Sequence, residues 1–132
     1  MDNSLIQNIV GQLRDIQDRE TWLDENFKKK IGEISDEQAF ERPIPEVHSV
    51  AELISHIMEW RINSIRALNG LKSDLTVDSP QNWRTNDELR KTGWEKLKID
   101  FYASQDELIE LIKDKPDDYL NNRSADGFSF KY

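Results

Sequence analysis

The chain has 132 residues, 33% charged and 36% hydrophobic, with a formal net charge of −8 and no cysteine. That size predicts a single domain over residues 1–132, able to bury a core without disulfide or metal staples. The acidic balance argues against phosphate-backbone binding, and the missing thiols exclude disulfides, thiolate catalysis and Cys-ligated zinc. In chain order, MDNSLIQNIV lacks the basic start and apolar run of a signal peptide. Apolar residues then recur every three to four positions, from Leu5 and Ile6 through Leu23 and Phe27 to Ile34. That spacing predicts one long amphipathic helix over about residues 3–33, capped by Asn3 or Ser4.

Ser35 followed three residues later by Gln38 predicts a capping box and one short helical turn. Pro43 and Pro45 prevent its continuation. Ser49 with Glu52 is a second capping box, opening a helix over about Val50–Leu68 that Gly70 stops. Residues 71–85 form a polar connection containing Pro80 and Trp83. Thr85 or Asn86 caps a third long helix that ends before Pro116, with the stripe Trp94, Leu97, Phe101, Leu108, Leu111 and Ile112. PDDYLNN predicts one short turn, and RSADGFSFKY a loop turning at Gly127. Three inward-facing stripes, with no strand signal, predict an all-α up-down bundle. No segment approaches the roughly 18 apolar residues that cross a bilayer, so a soluble, cytoplasmic protein without a membrane partner is expected.

His56 is the first candidate for chemistry. At 100° per residue it lies roughly 110–120° from the centre of its helix's apolar stripe, on the flank. His48 lies eight residues before His56, too far to share an ion with it: eight residues of helix would rise about 12 Å. Glu52 and Glu59 are the carboxylates at helical spacing from His56. Either could hydrogen-bond the ring or stand near a metal, though acidic residues are also ordinary dipole and solubility residues. Arg61 projects near the centre of the apolar stripe, where a charge needs a partner. It is expected either to meet a carboxylate of another element or to bind a substrate anion. Trp60 and Trp94 fall on stripe positions and are expected in the core; Trp83 is expected to staple its connection.

With these elements in place, SVAELISHIMEWRINSIRAL resembles the DinB-like superfamily of DinB/YfiT-type four-helix bundles. The Ser-capped helix carrying ELISHIMEW, the long first helix, the Pro-containing connection and GWEKLKIDFYASQDELIELI follow the family's order over nearly the whole chain. The resemblance implies a bundle that is often a homodimer. It implies a divalent metal, nickel or zinc, held by one histidine of the second helix and an HxxxH pair of the last. It further implies metal-dependent thiol S-transfer or hydrolysis of a small molecule. His56 matches the first ligand position, with Glu59 as its possible neighbour. The family's pattern continues from a segment like GFSFKY into the fourth helix, whereas this sequence reaches Tyr132. The expectation is therefore three long helices, the fourth position missing or supplied by a partner, and an incomplete metal site. The alternative is a non-catalytic helical-bundle binding or scaffold protein.

Overall fold

The computed structural model describes residues 2–130. It is all-α, in agreement with the sequence pattern, but the helices are cut more often than periodicity predicts. They are α1 (Ser4–Asp18), α2 (Phe27–Gly32), α3 (Asp36–Ala39), α4 (Val50–Leu68), α5 (Asn86–Thr92) and α6 (Trp94–Ile112), followed by a 3-10 turn at Asp117–Asn121. Three of these are long; two of the three predicted helices divide.

The predicted helix over 3–33 is two helices, because local side-chain bonds compete with the ladder between them. The Thr21 hydroxyl donates to the Glu25 carbonyl and accepts from the Glu25 amide. Asp24 takes a left-handed φ of 55°. The Asn26 carboxamide then accepts from the Lys29 amide and starts α2 afresh. Such short polar side chains offer the backbone an alternative to helix. Leu23, counted in the stripe, is consequently exposed, and Trp22 is 92% exposed. Neither Asn3 nor Ser4 caps α1 with its side chain. The capping carboxylate is Asp117, which accepts from the amides of Leu5 (3.0 Å) and Ile6 (2.9 Å).

Both predicted capping boxes are present, at Ser35/Gln38 and Ser49/Glu52. A third, Thr85/Glu88, opens α5. The predicted third helix breaks at Gly93, whose φ of 91° and ψ of 146° lie far from helical values. Gly70 ends α4 with φ 78° as expected, the Leu71 amide reaching back to the Arg66 carbonyl.

The central helix is α6: α4 packs along it, and α1 and α5 pack on it elsewhere, with no extended contact between α1 and α4. One apolar cluster joins Ile31, Phe40, Ile54, Leu89, Trp94, Leu97 and Phe101. A second joins Ile6 and Val10 of α1 to Ile109, Ile112 and Leu120. The tail folds back on the 3-10 turn. Phe130 lies 5.1 Å from Tyr119 between ring centroids, its amide donates to the Asn122 carbonyl, and Arg123 forms an isolated bridge with Ser129. The last two residues of the aromatic tail, Lys131 and Tyr132, lie outside the described residues. Among those that are described, no helix is long and apolar enough to cross a membrane.

Candidate metal-ligand histidine and its ring stack

The capping box that starts α4 also anchors one side of the candidate site. Glu52 is buried, and its carboxylate accepts from the Ser49 amide at 3.1 Å. Both carboxylate oxygens also accept from Arg42, through Nε (2.7 Å) and Nη2. The Arg42 bonds hold the Glu52 carboxyl down at about 2, against the opposing effect of burial. His48 stands beside this pair, its Nδ1 3.2 Å from Arg42 Nη2 and 3.3 Å from Glu52 Oε2.

His56 lies two turns further along α4, half-buried. Its Nδ1 is 2.9 Å from the backbone carbonyl of Asn82. A carbonyl only accepts, so Nδ1 carries the proton and the Nε2 lone pair is left available. Asn82 is itself fixed at both ends of its carboxamide. Its Nδ2 donates to the Val77 carbonyl at 2.9 Å, and its Oδ1 accepts from Trp60 Nε1 at 2.7 Å. Trp60, expected in the core, is only half-buried, with its indole N–H bonded to the connection. Trp94 is in the core, 2% exposed.

The next residue, Trp83, lies between the two histidines. Its ring stacks on His56 at 3.9 Å and 6° and on His48 at 3.7 Å and 3°. The indole that the sequence marked as a loop staple therefore separates the two imidazoles, consistent with their not sharing an ion. A cavity of about 410 Å³ opens beside the stack, lined by Arg42, His48, Glu52, Trp83, Thr85, Asn86, Asp87 and Arg90.

The other sequence candidates are engaged by other partners. Glu59 pairs with Arg84 at 3.3 Å, while the His56 ring donates to the Asn82 carbonyl. Arg61 points across to α6. Its Nη1 donates to the Phe101 carbonyl and the Ser104 hydroxyl, both at 2.9 Å, and its guanidinium lies 4.6 Å from the Phe101 ring centre. Among the described residues it forms no direct ion pair; Asp106 acts on it through space, and burial pushes its guanidinium down to about 10. Sequence reasoning missed Asn82 and the facing rings of His48 and Trp83. The one available signal was a tryptophan in an otherwise polar connection.

A metal ion of the kind the resemblance implies finds one suited donor here. His56 has the right tautomer, with its second nitrogen on a carbonyl, as metal-bound imidazoles usually do. Among the described residues, however, no group of three or more His, Asp or Glu side chains is arranged to hold an ion. The residues present thus fit one ligand position and not a whole site.

A family model described as the DinB superfamily matches residues 18–130. The chain belongs to the DinB superfamily. Comparison with curated proteins and with solved structures gave no match.

Proposed function

We propose that this protein is a DinB-superfamily relative of metal-dependent thiol S-transferases and hydrolases, in which His56 occupies one metal-ligand position. The observation that carries this reading is the bond from His56 Nδ1 to the Asn82 carbonyl, which leaves Nε2 free to donate. A divalent ion, nickel or zinc, would supply Lewis-acid chemistry to a thiol or a water. The described residues provide one donor, so the further ligands belong to a partner copy or to chain outside those residues. In this reading the protein acts on a small molecule as a homodimer in the cytoplasm. Arg61 is structural, because its Nη1 is already engaged by the Phe101 carbonyl and the Ser104 hydroxyl.

A second reading, a non-catalytic binding scaffold, is favoured by the same ring stack. His48, Trp83 and His56 tie the connection before α5 to α4 whether or not a metal arrives. Elemental analysis of the purified 132-residue chain separates the two, with His56→Ala alongside. A stoichiometric ion that disappears in the variant supports the ligand reading. A protein free of metal after exposure to nickel and zinc supports the scaffold.

A further inference from the structure

We propose that Trp83 is a positioning residue for His56, holding the imidazole plane so that Nε2 keeps one direction. An imidazole on a helix has two side-chain rotations to lose before its free nitrogen is aimed. The Asn82 carbonyl, 2.9 Å from Nδ1, sets the tautomer and one edge of the ring. It does not by itself stop the ring from rocking about that bond. Trp83, parallel to His56 within 6° and 3.9 Å away, removes that remaining freedom.

The indole can do this only if it is itself fixed, and it is fixed from behind. His48 covers its other face at 3.7 Å and 3°. His48 in turn is held at Nδ1 beside the Arg42–Glu52 pair. The preceding residue, Asn82, is 5% exposed and bonded at both ends of its carboxamide. A loop staple needs only a buried indole. Here both indole faces carry imidazoles, and each imidazole has its own hydrogen-bonded anchor, an arrangement that preorganises a donor.

The inference rests on the reading of His56 as a ligand, yet its first test needs no metal. Ring-nitrogen NMR of the metal-free 132-residue chain at neutral pH should show His56 protonated at Nδ1 and bare at Nε2. With the ring free to rock off the Asn82 carbonyl, Trp83→Ala should move it toward a mixture of the two neutral tautomers, and Trp83→Phe, which keeps a stacking ring, should restore the wild-type pattern. Nickel ion titrated calorimetrically should bind at least about tenfold more weakly to Trp83→Ala, the scale of loss seen when a ligand's supporting partner is removed. Trp83→Phe should stay within about threefold.

His48→Ala leaves the indole and Asn82 in place and should weaken nickel about two- to fivefold, which covers the case that Trp83→Ala does not fold. A wild-type His56 with mixed tautomers overturns the proposal outright. So does nickel binding that His56→Ala abolishes but neither Trp83→Ala nor His48→Ala weakens. A fixed tautomer that Trp83→Ala releases, in a chain that takes up no nickel, supports the positioning and sinks the metal reading instead.

Discussion

Arg42 and Glu52 meet through two nitrogens and two oxygens, joining the strand of chain after α3 to the first turn of α4. Glu52 has an ordinary value of 4.5 and is held at about 2 in the folded protein. A folded-state value below the unfolded one adds stability above pH 4.5, and that stability drains away as pH falls through about 2. Glu52→Gln should therefore lower stability at pH 7 by about 2 kcal/mol. It should also flatten the acid limb of a stability-versus-pH curve measured by urea unfolding. An unchanged acid limb would contradict the assignment of that limb to this carboxylate.

Gly93 separates α5 from α6 with a backbone conformation that side chains rarely adopt, at φ 91° and ψ 146°. A Cβ there would meet no atom within 4 Å. Gly93→Ala should cost about 1–3 kcal/mol from backbone strain alone, visible as a lower urea midpoint with an unchanged slope. No loss would mean that the two helices fuse into one.

Ser55 is fully buried, and its hydroxyl has no hydrogen-bond partner among the described residues. Removing an unpaired buried hydroxyl relieves a desolvation cost of about 1–3 kcal/mol, less the packing lost with one oxygen. Ser55→Ala should therefore be neutral or raise the thermal midpoint. A clear fall would reveal a partner, such as a bound water.

Burial pushes the Arg61 guanidinium well below its ordinary range, to about 10. For a base, a lowered folded-state value means that the unfolded chain holds the proton more tightly. Stability from this group then rises as pH climbs above about 10, and the buried charge is a cost at pH 7. Arg61→Met should keep the fold and raise stability by about 1 kcal/mol at pH 7, as hydrophobic replacements of buried charges often do. The Phe101 carbonyl stays satisfied by the Ser104 hydroxyl. A stable variant with lost function would instead favour the substrate-anion role.

The readable parts of this fold are those decided locally. Ser35 with Gln38 and Ser49 with Glu52 place both atoms of a capping box within four residues, so spacing alone finds them. Gly70 is similar. Periodicity failed where it ran through turn chemistry: Thr21 and Asn26 interrupt a stripe that stays in phase across them. Gly93 stands inside an equally continuous pattern, and only its left-handed φ shows that it breaks the helix. At the candidate site, His56 was found because its helix carries a recognisable pattern. Its partners were not, because Asn82 lies 26 residues away in a connection without periodicity. Stacking is a relation between ring planes, which no spacing encodes.

The carboxylate of Asp117 closes the start of α1 from 112 residues down the chain. During synthesis the first helix therefore emerges with the Leu5 and Ile6 amides open to water and waits until Asp117 has been made. Its N-terminal turn gains its lasting acceptor only when the 3-10 turn docks. This couples two segments made 112 residues apart, and it makes the fraying of α1 a reporter of how complete folding is.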